Sequence, residues 1–146
     1  MIAPLAARVS LAAAGLTLLV GAAPTSELTI DVARLRNAKG LIRVCLTAVP
    51  NNFPACGNEA EAVTRSIPAG THELRIAGLP RGDYAIAVIH DENSNKKLDT
   101  FMGIPREGFG FSRNPPIGFS APRFAAARFS VQGDTETQQV LMHYLL

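Results

Sequence analysis

The chain lacks most of the features that assign a function from sequence. Its 14 lysines and arginines are scattered and nearly balanced by 12 aspartates and glutamates. Without a basic stripe, nucleic-acid binding has no electrostatic support. After the first 20 residues no apolar run approaches the roughly 20 needed to cross a bilayer. There are only two cysteines, Cys45 and Cys56, with no CxxC motif and no histidine close to either. That spacing argues against a zinc or dithiol redox site. Internal repeats, low-complexity tracts and sustained helical periodicity are absent as well.

The N-terminus is informative. Arg8 precedes an apolar run of about 12 residues from Val9 to Val20, and Gly21, Ala22 and Ala23 follow. A basic start, a short apolar stretch and small residues are the order of a secretory signal peptide. Residues 1–23 are read as that signal, with cleavage after Ala22 or Ala23. An uncleaved anchor is the alternative, and the run is short for it. The mature chain, residues 24–146, has about 123 residues and a charge near +1. It is long enough for one domain with a real core. Export leads to the periplasm or the extracellular space. There, a lone cysteine pair is most simply a disulfide, so Cys45 and Cys56 are expected to be bonded. Closing a loop of that size contributes roughly 3 kcal/mol.

The mature chain reads as strands. Leu28, Ile30 and Val32 alternate with polar residues, as do Ile42, Val44 and Leu46. Period two is the strand signature. AVTRSI and THELRIAGL give two more strands, then YAIAVIH, a strand near Arg128 after one helical turn, and TQQVLMHYL. In YAIAVIH, Tyr84, Ile86 and Val88 point one way and Ala85, Ala87 and Ile89 the other. Both faces are apolar, so this strand is expected to be central and covered on both sides. The total is about seven short strands. The fold class is all-β, an antiparallel β-sandwich of Ig-like or transthyretin-like form. Between Asp91 and Pro122 no periodicity is visible. This stretch is expected to be one long ordered loop, because Phe101, Phe109, Phe111 and Phe119 are too many rings for disorder. Those four phenylalanines are candidates to line a binding groove or to anchor the loop.

Several segments resemble one family. LPRGDYAIAVIHDENSNKKLD, MGIPREGFGFS and PRFAAARFSV are similar to the exported bacterial family DUF2141, across residues 27–145. The resemblance implies a periplasmic or secreted β-sandwich and carries no established activity. The LPRGDY element alone is also similar to turns in transthyretin-like and carboxypeptidase-regulatory-like sandwiches. Family members often read HDENxNGKLD, and this chain has Lys96 where they carry glycine.

HDENSNKKLD is the candidate ion site. Asp91, Asn93, Asn95 and Asp99 occupy positions one, three, five and nine of a calcium loop, and Lys97 could offer its carbonyl at position seven. Two features depart from that pattern. Lys96 replaces the turn glycine, at about 1–2 kcal/mol if φ is positive. Met102 replaces the bidentate acid, so Glu107 would have to fold back. The same spacing serves as an Asx-rich turn with no metal. Calcium is thus the one cofactor that the sequence brings into consideration.

His90 and Tyr84 are read as structural residues on the core face of their strand. Catalytic alternatives are a metal-assisted hydrolase using His90, Asp91 and Asp99, or a Ser112–His90–Asp99 set. Asp91 and Glu92 are adjacent and point to opposite faces, a poor acid–base pair. The resulting expectation is an exported, non-enzymatic binding or envelope-associated module that makes contact through Asp91–Pro122. A calcium-stabilised structural module and the small hydrolase are the alternatives.

Overall fold

The structure, a computed structural model, describes residues 18–146. Most of the expected signal segment lies outside the described residues. Residues 18–24 are exposed and without regular structure. Among the described residues, no helix is long and apolar enough to cross a membrane.

The seven strands expected from periodicity are all present, and three short ones join them. β1 (Thr25–Ala33) buries Leu28, Ile30 and Val32 on one face, as period two requires. β2 (Leu41–Thr47), β3 (Ala62–Pro68), β4 (Glu73–Pro80) and β5 (Gly82–Asp91) follow. β6 (Thr100–Phe101) and β7 (Ile104–Pro105) form a small hairpin, followed by β8 (Gly108–Phe111). A single helical turn, α1 (Phe124–Ala127), leads into β9 (Phe129–Val131) and β10 (Thr135–Leu141).

The strands form two packed sheets. One has the order β10-β1-β4, and the other runs β3-β2-β5-β8 with β9 beside the start of β5. All pairings are antiparallel except β1 with β10, which is parallel. The sandwich expected from sequence is therefore antiparallel apart from one parallel pair. The expected long loop also contains regular structure, namely the β6–β7 hairpin and β8.

The core lies between the sheets. Leu28, Ile30 and Val32 meet Ile42, Val44, Leu46, Ile86 and Val88, with Val131 and Val140 closing it. A second cluster covers the outer face of β2 and β5: Cys45, Ala85, Ala87, Phe109 and Phe111 pack against Phe53, Cys56 and Ala127. The phenylalanine rings meet edge to face, Phe53 lying 6.0 Å from Phe111 and 6.2 Å from Phe124. β5 is covered on both faces, as its sequence requires. Cys45 and Cys56 form the expected disulfide, with Cα atoms 5.8 Å apart. Tyr84 donates its hydroxyl to Pro80 four residues upstream (2.7 Å) and packs near Phe129.

The edges are handled unequally. After β10 the chain crosses to the other sheet, where His143 and Phe109 exchange two backbone hydrogen bonds. The Asn114 carboxamide bonds both the Gln139 carbonyl and the Leu141 amide, capping the free side of β10 as a strand would. Among the described residues, β3 and β4 each have a strand on one side only.

Candidate functional site

β5 ends at Asp91, and the next eight residues fold back on that end. Asp91 has no solvent exposure; its Oδ1 accepts the Asn95 amide (3.0 Å) and its Oδ2 the Lys96 amide (2.8 Å). The side-chain oxygens of Asn93 and Asn95 each accept the amide two residues on, the geometry of an Asx turn. Their side-chain nitrogens hold Asp99 at 2.6 to 3.0 Å. Those bonds, from Asn95 first and Asn93 second, hold the Asp99 carboxyl below the ordinary aspartate pKa. Glu107 does fold back onto the loop. Its two carboxylate oxygens accept the amides of Glu92 and Asp99, both at 3.0 Å. The structure thus brings Asp91, Asn93, Asn95, Lys97 and Asp99 into one loop, and hydrogen bonds inside it engage the side-chain oxygens of the two aspartates and two asparagines.

Lys96 sits at φ 64, a left-handed conformation that favours glycine. Lys96→Gly is expected to raise stability by about 0.5–1 kcal/mol, the relieved strain less the added chain entropy. Urea unfolding of the two proteins measures it, and a destabilised variant would contradict the strain argument.

Beside this loop a polar cluster joins four distant segments. His90 is fully buried; Nε2 donates to the Lys39 carbonyl (2.7 Å) and Nδ1 lies 2.8 Å from the Tyr144 hydroxyl. With Nε2–H donating to that carbonyl, Nδ1 faces the Tyr144 hydroxyl as its acceptor. Burial pushes the Tyr144 hydroxyl pKa up, which keeps it a donor. The Arg36 amide in turn donates to the Tyr144 oxygen (3.2 Å), and its guanidinium lies 4.6 Å from the ring centre. The same guanidinium makes two bonds to Glu92, at 2.6 and 3.1 Å, and one each to the Arg106 and Leu146 backbone oxygens. Gly108 makes room for all this: a Cβ there would lie 2.5 Å from the Tyr144 ring.

The Arg36 hydrogen bond holds the Glu92 carboxyl below its ordinary 4.5. A carboxylate with a depressed folded pKa adds stability above its unfolded pKa and loses it as pH falls through the folded value. Stability should therefore decline below about pH 4.5. Glu92→Gln should flatten that decline, as read by urea midpoints between pH 3 and pH 7. An unchanged slope would remove Glu92 from the account.

His90 and Asp91 are fully buried with their polar atoms engaged, and Asp99 turns away to the asparagines. Ser112 is also fully buried. Its hydroxyl accepts the Ile86 amide (2.9 Å) and donates to the Ala127 carbonyl (2.5 Å), far along β5 from His90. The four phenylalanines separate into two pairs. Phe109 and Phe111 lie in the second core, as anchors of the segment that carries them. Phe101 and Phe119 remain outside, 57% and 115% exposed.

Two features escaped sequence reasoning. One is a polar basin of about 420 Å³ bounded by Arg36, Glu92, Asp99, Arg106 and Glu107. Its residues come from separated segments, from Arg36 to Glu107, so no local pattern announces it. The other is the tip of the β6–β7 hairpin. Met102 and Gly103 both have positive φ, which makes the tight two-residue turn that suits strand twist. The turn lifts Phe101, Met102 and Ile104 clear of the body, 57%, 86% and 43% exposed. Three large apolar residues within four positions were the available signal.

Residues 30–139 match the family described as an uncharacterized protein conserved in bacteria (DUF2141). The fold, an all-β sandwich stapled by one disulfide, defines the class, and the chain belongs to the DUF2141 family. No curated protein and no solved structure matches it.

Proposed function

We propose that this chain is an exported, non-enzymatic binding module that docks a protein partner of the cell envelope through its Asp91–Pro122 segment. One observation carries the reading: Phe101, Met102 and Ile104 stand exposed on a hairpin held at its base by the Arg106 amide on Asp99 and by Glu107. An apolar centre inside a polar rim is the anatomy of a protein interface. The basin next to Thr100 mixes signs, with Arg36 and Arg106 beside Asp99 and Glu92. An anionic lipid surface would repel those carboxylates, which favours protein over lipid. The non-enzymatic part rests on His90 and Asp91, whose burial and engaged hydrogen-bonding atoms leave them no access to a substrate.

A photocrosslinking residue at Met102, introduced in cells, tests this against the same residue at Glu59. A single adduct specific to position 102 is expected, with the purified adduct partner binding wild type at least about tenfold more tightly than Phe101→Asp. Equal labelling at both positions, or sedimentation with phosphatidylglycerol vesicles that Phe101→Asp abolishes, would overturn it. So would a turnover lost in Asp99→Ala.

A calcium-stabilised module is the second reading, favoured by the positive φ at Lys96 and by the gathering of Asp91, Asn93, Asn95 and Asp99. Thermal unfolding in EDTA and then in millimolar calcium, with magnesium as control, separates the two. A calcium-specific rise that disappears in Asp91→Ala would establish the ion.

A further inference from the structure

β4 has one neighbour, β1, and its other side is open among the described residues. Hydrogen-bond alternation shows which of its backbone groups are left over. The Val32 amide donates to the His72 carbonyl (2.8 Å), and the same register continues through Ile30 opposite Leu74 and Leu28 opposite Ile76. Bonded and non-bonded pairs alternate along an antiparallel ladder. Leu74 and Ile76 therefore turn their amides and carbonyls towards β1, and Glu73, Arg75 and Ala77 turn theirs outward. β3, the other open edge, is guarded. Its Arg65 lies in the core-facing row opposite Val44, an inward charge that deters a further strand. Over Glu73–Ala77, β4 has no such guard. Its core-facing residues there are Leu74 and Ile76, and its left-handed Gly78 and its Pro80 come only at the end.

The outer-face charges say what fits this edge. Asp31 and Glu73 stand directly opposite each other, like charges that weaken their own pairing. Beyond Glu73 the row ends. A second copy of β4, antiparallel about a two-fold axis at Leu74, continues that row with the partner's Arg75. By symmetry it sets Arg75 of this chain against the partner's Glu73. An axis at Glu73 or at Arg75 would oppose like charges, and one at Ile76 would draw in Gly78. We propose that two copies of this chain pair through β4 in this single register, joining their three-stranded sheets into one. The outward backbone groups of Glu73 and Arg75 bond to those of the partner's Arg75 and Glu73. The two Leu74 side chains meet on the core side as a non-bonded pair, the closer of the two spacings. The same patch serves both copies, as a two-fold interface requires. An unrelated strand would satisfy the backbone without supplying this order of charges.

Sedimentation of the oxidised protein from about 1 μM to 1 mM tests the proposal. A monomer–dimer equilibrium is expected. Arg75→Glu, which sets glutamate against glutamate twice, should weaken it at least about tenfold. The swap Glu73→Arg/Arg75→Glu should restore it to within about threefold, a rescue that general damage to the fold would not give. Hydrogen exchange gives an independent reading. The Glu73, Arg75 and Ala77 amides should slow as concentration rises, while those of Leu74 and Ile76, already bonded to β1, should not change. A monomer throughout that range would overturn the proposal. So would a dimer indifferent to Arg75→Glu, a swap that fails to restore pairing, or exchange at the three outward amides that ignores concentration. Each of these outcomes leaves the docking tip untouched, because the crosslinking experiment reads the β6–β7 hairpin and not β4.

Discussion

Replacing His90 by alanine is expected to destabilise the fold by about 3–5 kcal/mol, the larger of the two greatest effects anticipated. Two terms add. A fully buried ring is removed from the end of the inter-sheet core, leaving a cavity that β2 and β5 are too well paired to fill. The Lys39 carbonyl and the Tyr144 hydroxyl also lose their partner. Tyr144→Phe removes only the hydroxyl and should cost about 1–2 kcal/mol. Because the two side chains share a hydrogen bond, their effects should not add; the double mutant should be milder than the sum by at least about 0.5 kcal/mol. Urea denaturation of the four proteins gives the cycle. Strict additivity, or a His90→Ala loss under 1 kcal/mol, would show that the link is not what holds the C-terminal segment.

Loss of the disulfide is the second large effect. Cys45 and Cys56 are 11 positions apart, and a loop of that length restricts the unfolded chain by roughly 3 kcal/mol. The bond also belongs to the second core, where Cys56 and Phe53 cover Ala87 and Phe111. The double substitution Cys45→Ala/Cys56→Ala should lower the melting temperature by about 10–15 °C in a chain of this size. Calorimetry of the oxidised protein, the reduced protein and the double variant reads it. The reduced protein and the variant should agree within a few degrees. A variant that melts with the oxidised wild type would show that the bond constrains little.

Local pattern made most of the strands legible, and it failed where long-range approach sets the residue. β5 could be read from YAIAVIH because apolar side chains on both faces are themselves a burial signal. β8 could not be read from GFGF, although all four of its residues are buried. Its glycines face β10 and Tyr144 so closely that a Cβ on Gly110 would lie 2.7 Å from the Leu141 carbonyl. Glycine there marks contact, and from sequence alone it reads as a loop. The parallel partnership of β1 and β10 was equally invisible, since Ile30 and Gln138 meet across the whole chain. In the site, the Asx turn and the special backbone at Lys96 followed from spacing. The Arg36–Glu92–Tyr144 cluster did not, because its members come from three separated segments with no shared period.

The pairing of the first strand with the last also sets the order of folding. β1 lies between β4 and β10, and the core at its end is completed by Val140 and Met142, while His90 finds its donor only in Tyr144. Without Thr135–Leu141, β1 lacks one neighbour and its sheet lacks an edge. Contacts this distant in sequence form late and slowly. A chain cut before β10 should therefore stay loose, with the apolar face of β1 lacking one of its two neighbours.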